Sequence, residues 1–398
     1  MNNISPTPTL SQREGATDKT KSRRNNITPS LYLLRCVRTL ALSWGRVGVG
    51  LLCLLLCGCI TKYYPTGIDE IADILVVDGV ITDDETIITL SLSVNLTEEQ
   101  SISTSYVNHA LVYVECDDGN QWQAETQWDW DTEDRNGRYL IKNGILNTKQ
   151  KYHLRIVIDK FDYSSDYMYP IITPEIDSLF WMKTGRGQPV LIHVATQSTD
   201  GNTMYCRWRY KEDWEINSEL PLAGYPYNCW NTANSREILL GSSEKTVFGR
   251  ITDVVAEIPP WDRKLAVMYR IDVRQNAISK RAYDYYENIR MNAKQIGNIF
   301  APIPSELRGN IICTTDLGRP VIGYVDVSST TRKRMYIPKS ANVYERPYSM
   351  NCEPFVPETP PENDTFFVYY NGMYLYRNCV DCTFFGVEQK PDDWIDND

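Results

Sequence analysis

Apolar and polar positions in this chain alternate far more often than they recur at helical spacing. Ile74-Leu75-Val76-Val77-Asp78-Gly79-Val80-Ile81 predicts a strand, turned at Thr82-Asp83-Asp84-Glu85. Ile88, Leu90, Leu92 and Val94 then share one face of 86–94, the pattern of a half-buried strand. Further strands are expected at 110–116, closed by Asp117-Asp118-Gly119-Asn120, and at 121–127, 137–141, 151–158 and 161–165. Short strands at close spacing with turn signals between them predict an Ig-like β-sandwich over 73–168.

After the Pro-containing joint Tyr169-Pro170-Ile171-Ile172-Thr173-Pro174, a larger β-rich domain is expected over 175–398. Its strands are predicted near 178–183, 190–196, 204–210, 236–240, 265–275, 309–314, 321–327 and 334–337. One main helix is predicted near 279–297: Ser279 is its N-cap, and Ala282, Tyr285/Tyr286, Ile289 and Ala293 recur at helical spacing. Arg332-Lys333-Arg334 is expected to be a solvated turn, and 353–364 a Pro-rich loop. The fold class is thus mostly β, a sandwich followed by a β-rich domain with one helix.

One apolar stretch fits neither pattern. The run 47–59 follows Arg35, Arg38 and Arg46 and ends in Leu56-Cys57-Gly58-Cys59. Positive flank, short apolar core and small-residue cleavage site make a secretion signal, and the run is shorter than the roughly 20 residues of a membrane span. The quartet resembles a lipobox. Cleavage between Gly58 and Cys59 removes residues 1–58, and the Cys59 thiol, the nucleophile of the quartet, accepts a lipid carrying fatty-acyl chains such as palmitate. Residues 59–72 form the tether. The polar leader ahead of Arg35 exceeds an ordinary signal, so translation is expected to start closer to Arg35.

This processing changes the charge and the cysteine count. The first 58 residues hold eight Lys/Arg and two Asp/Glu, so their loss takes the formal charge from −10 to −16. Such an acidic body is a poor match to a phosphate backbone, and nucleic acid is not an expected partner. Of eleven cysteines, seven follow Cys59, in a disulfide-permissive compartment. Cys379-x-x-Cys382 is open to three readings: a redox pair, a metal half-site or a structural staple. A redox pair wants a helix N-terminus, and zinc wants a second pair at similar spacing, whereas His109, His153 and His193 are scattered. The staple is favoured, with Cys229 and Cys352 as candidate bridging partners and the connectivity open.

Other candidates are weaker. Asp129-Trp130-Asp131-Thr132-Glu133-Asp134 is an oxygen-rich stretch better suited to a solvated hairpin tip than to calcium. Trp208, Trp214, Trp230, Tyr225 and Tyr227 are either core aromatics or a surface for sugars or a receptor. No Gly-x-Ser-x-Gly elbow occurs, and Gly185-Arg186-Gly187 lacks the Lys-Ser/Thr of a phosphate loop. No enzyme activity, metal or cofactor beyond the covalent lipid on Cys59 is expected.

Several short pieces in order carry a resemblance: Leu75-Val76-Val77-Asp78-Gly79-Val80-Ile81, Ile176-Asp177-Ser178-Leu179, Cys206-Arg207-Trp208-Arg209-Tyr210, Gly297-Asn298-Ile299-Phe300-Ala301-Pro302, Arg308-Gly309-Asn310-Ile311 and Lys390-Pro391-Asp392-Asp393-Trp394. Together, from Cys59 to about Trp394, the chain resembles the Bacteroidetes outer-membrane lipoproteins of the domain of unknown function 4249 family. The resemblance implies a first domain similar to carboxypeptidase-regulatory-like β-sandwiches. It also implies lipid anchoring to the outer membrane, with cell-surface exposure as the favoured side, and a TonB-dependent receptor as partner. The expected function is a non-catalytic accessory binding subunit in nutrient capture, its ligand open. The alternative is a structural subunit of an envelope or secretion assembly.

Overall fold

Burial alternates along Leu75–Thr82 and Thr86–Leu92, which pair antiparallel with Val77 opposite Leu90 and Gly79 opposite Ile88. Gly79 is required there, because a Cβ would run into the Ile88 side chain and the Ile87 carbonyl. The computed structural model describes residues 74–83, 85–93, 105–126, 136–295, 308–345, 352–357 and 366–395. Gly58 and Cys59, the tether 59–72, the 129–134 stretch, residues 296–297 and the centre of the Pro-rich loop lie outside the described residues. The chain is mostly β, with several sheets, no closed barrel and one α-helix among the described residues.

Two sheets face each other in the first sandwich. One runs Val321–Gly323, Leu75–Thr82, Thr86–Leu92, Arg138–Ile141, Glu125–Thr126. The other runs Ile311–Cys313, Phe161–Ser165, Tyr152–Ile158, Leu111–Cys116, Gln121–Gln123. Their inner positions, among them Ile81, Ile88, Leu90, Val114, Leu154 and Ile156, form one core. Three of these strands come from late in the chain. Val321–Gly323 and Val327–Ser328 lie parallel to Leu75–Thr82, and Ile311–Cys313 lies antiparallel to Phe161–Ser165. Asn310 locks this return by donating to the Val325 carbonyl at 2.8 Å and accepting from its N–H at 2.9 Å. The first sandwich, expected from 73–168 alone, therefore also takes in 308–328. The parallel partners lie beyond the reach of local pattern reading.

The second sandwich packs a three-stranded sheet, Ile176–Met182, Val190–Gln197 and Arg250–Ile258, against a five-stranded one. The latter runs Asn228–Asn234, Tyr205–Asn217, Met268–Ala277, Thr330–Pro338, with Leu239–Ser242 also on Tyr205–Asn217. Trp208 sits directly opposite Gln275 in this sheet, and its indole donates to the Gln275 carbonyl at 2.8 Å. Gln275 donates in turn to the Pro174 carbonyl and Thr196, so a fully buried amide is satisfied. Gly241 leaves room for the Trp208 ring, which a Cβ would overlap. The sequence pattern does not predict Asn228–Asn234, where only Cys229 is buried, or Arg250–Ile258, where a register shift opposite Ile192/His193 breaks the alternation. The solvated turn expected at Arg332-Lys333-Arg334 is corrected. These residues lie inside Thr330–Pro338, where Lys333 donates to the Ile176 and Asp177 carbonyls and Arg334 pairs with Asp272 at 3.0 Å.

The helix, Lys280–Gln295, begins as the sequence indicates. Ser279 accepts from the Ala282 N–H at 3.2 Å, the N-cap bond that satisfies a first-turn donor. Ala282, Tyr285 and Tyr286 pack against Tyr205 and Leu240 of the second sandwich and Tyr324 of the first, so the helix fills the angle between the two.

Candidate binding surface

Asn371-Gly372 makes a two-residue turn with φ of 50° and 83°, the left-handed pair that matches the twist of a β-hairpin. It joins Phe367–Tyr370 to Met373–Tyr376, a two-stranded sheet of its own. Because directly opposed residues share a face, the register sorts the side chains. Val368 and Leu375 turn inward, are buried, and pack with Val380 against Leu220, Leu222 and Tyr225. Phe367, Tyr369, Tyr374 and Tyr376 occupy the other face, joined by Phe355, which pairs with Tyr374 through an isolated bridge.

The outer rings support one another. Phe355, Phe367 and Tyr376 form a triangle with centroids 5.3 to 5.9 Å apart, and Tyr369 lies 5.0 Å from Tyr374. Tyr369 is 65% exposed and Tyr376 45%. A stiff aromatic face of this kind, with few rotamers left to freeze, suits protein contact, where buried aromatic anchors carry much of the affinity.

Two disulfides hold the platform. Cys352–Cys379 fastens the strip carrying Phe355 to the end of the hairpin, and Cys229–Cys382 fastens the following turn to the edge strand Asn228–Asn234. The Cys379-x-x-Cys382 cysteines are thus joined to separate distant partners rather than to each other. Between them Asp381 accepts from Thr383 N–H at 3.0 Å, Thr383 Oγ1 at 2.6 Å and Arg377 Nε at 3.0 Å. Burial works to raise the Asp381 carboxyl, and these donors outweigh it and lower it. Backbone bonds from Leu220 to Cys379 and from Cys382 to Pro226 complete the attachment.

The aromatics singled out from sequence are placed differently. Trp208 and Trp214 are core side chains, Trp230 and Tyr225 are half-buried, and Tyr227 is exposed. Cys116, Cys206 and Cys313 are buried free thiols, and burial pushes Cys206 up to about 12. No group of three or more His, Cys, Asp or Glu placed to hold a metal occurs among the described residues. No helix among them is long and apolar enough to cross a membrane.

Fold and surface define a two-sandwich β protein that carries a disulfide-clamped aromatic hairpin. The family model for the domain of unknown function (DUF4249) matches residues 61–334, and the chain belongs to that family. The match spans the first sandwich, ends inside Thr330–Pro338 of the second, and stops short of the hairpin. The curated proteins contain no match to this chain.

Proposed function

We propose that the chain is a lipid-anchored, non-catalytic binding subunit of the outer membrane, tethered through Cys59, that works beside a TonB-dependent receptor in nutrient capture. The observation that carries this reading is the clamped ring face of Phe355, Phe367, Tyr369, Tyr374 and Tyr376. Two disulfides support a place outside the reducing cytoplasm. They hold an exposed apolar surface in one geometry, which lowers the entropy cost of association. The receptor contact is proposed at this hairpin, and the lipid on Cys59 keeps the chain at the membrane surface.

The test is affinity purification of the lipidated chain from membranes, with and without Tyr369→Ser plus Tyr376→Ser. A TonB-dependent receptor, identified by mass, should co-purify in stoichiometric amount and fall at least about tenfold in the variant, with a thermal melt showing that the variant stays folded despite the loss of Tyr376 from the ring triangle. Envelope assembly components in place of a receptor would select the structural-subunit role. Full protection from protease on intact cells would exclude capture at the cell surface.

A further inference from the structure

A second surface points to a ligand of different chemistry. On the outer face of the five-stranded sheet, Arg209, Arg274 and Arg332 stand directly opposite one another on three adjacent strands. Like charges in such register are destabilising, and this chain is acidic overall. The next rung places Arg207 opposite Asn276 and Asn276 opposite Thr330. The hairpin of Leu75–Thr82 and Thr86–Leu92 leans over these rungs and leaves a cavity of about 50 Å³. Its walls include Arg207, Arg209, Arg274, Asn276, Thr330 and Glu85.

Asp78 and Glu85 do not balance the three guanidiniums that line the cavity, Arg207, Arg209 and Arg274. Asp78 is shared, accepting from Arg207 at 2.6 Å and Arg209 at 2.7 Å. Glu85, exposed on the wall, makes no ion pair among the described residues. Arg274 has neither hydrogen bond nor ion pair among the described residues. The Arg207 side chain is 8% exposed, lies 4.3 Å over the Tyr286 ring, and keeps its Nη1 without a hydrogen-bond partner. A guanidinium buried to that degree with an orphan donor is costly unless something supplies an acceptor.

We propose that this cavity is a binding site for a small tetrahedral oxyanion, phosphate or sulfate. Three guanidiniums present the planar donor forks that match its oxygens, with the Asn276 amide and Thr330 hydroxyl alongside. At roughly 10–15 Å³ per water, the space of about 50 Å³ holds about four, the number of oxygens of one such ion. The ion is held by the central strands of the second sandwich, with Thr82 of the first sandwich also on the cavity wall.

Titration of the purified full chain with inorganic phosphate, at ionic strength held constant with chloride, tests this site. Melting temperature should rise saturably with phosphate and with sulfate, and phosphorus NMR should show a bound resonance that sulfate displaces and chloride does not. Arg274→Gln, which removes no observed contact, should weaken binding at least about tenfold and, without phosphate, melt no lower than the parent. Glycerol phosphate and vesicles bearing phosphate headgroups separate a free ion from a lipid source, and the free ion is the one proposed. The proposal fails if phosphate acts no differently from chloride, if Arg274→Gln binds as well as the parent, or if glycerol phosphate or vesicles bind equally.

Discussion

Asp326 is 3% exposed and accepts from the Ser279 N–H at 2.8 Å and from its hydroxyl at 3.1 Å, with the Arg281 charge also acting on it. Burial pushes its carboxyl up to about 6, and the Ser279 donors and Arg281 offset only part of that. The folded chain therefore holds this proton more tightly than the unfolded chain, whose value is near 3.8. The stabilising contribution is fully present below pH 4 and is lost as pH rises through 6. A two-unit difference corresponds to about 3 kcal/mol at most. Asp326→Asn keeps an acceptor for Ser279 and removes the charge. It should melt higher than the parent at pH 7.5, with the gap closing near pH 4, as thermal melts at a series of pH values would report. At this scale the sequence is informative about Ser279, whose capping role follows from its place before a helical pattern. It is silent on Asp326, because nothing local distinguishes a carboxylate that will face that cap from any other. Trp208 is ambiguous for a related reason: an indole suits core or platform, and only the buried Gln275 across the rung decides.

At the scale of elements, the aromatic hairpin depends on its clamps. Cys352→Ser opens a loop of 27 residues, a loss of about 3.5 kcal/mol in the chain-entropy account. Phe355 should leave the ring triangle, and limited proteolysis should cut near 352–357 in this variant while the parent resists until reductant is added. Equal resistance in both would show that ring packing alone holds the strip. The hairpin is legible in principle, since Asn371-Gly372 between apolar runs is a strong short-range turn signal. Its outward face is not legible. Both faces of 367–376 are apolar, and contact with Leu220, Leu222 and Tyr225 decides which is covered. The strand through Arg332-Lys333-Arg334 escaped for the converse reason, its charges being absorbed by neighbouring strands and carbonyls.

At the scale of the whole molecule, the two sandwiches are interleaved in sequence. Thr330 donates its N–H to Asp83 across 247 residues, and both sheets of the first sandwich take a strand from 308–328. A fragment ending at residue 174 should lack a cooperative thermal transition, while the full chain melts cooperatively. A fragment that melts cooperatively would mean that strands 75–165 suffice. The boundary near 168 rests on the run of closely spaced strands and the Pro-containing joint after it, and pairing at long separation leaves no trace in such local patterns.

The same return strand has a consequence in time. A chain delivered from its N-terminus exposes one edge of Leu75–Thr82 until Val321–Gly323 and Val327–Ser328 arrive. An unpaired apolar edge is a template for association with other chains, and pairing at such separation is slow. Throughout that interval the incomplete chain carries an edge open to association, and its yield on expression should be limited by the traffic of incomplete chains rather than by the stability of the finished one.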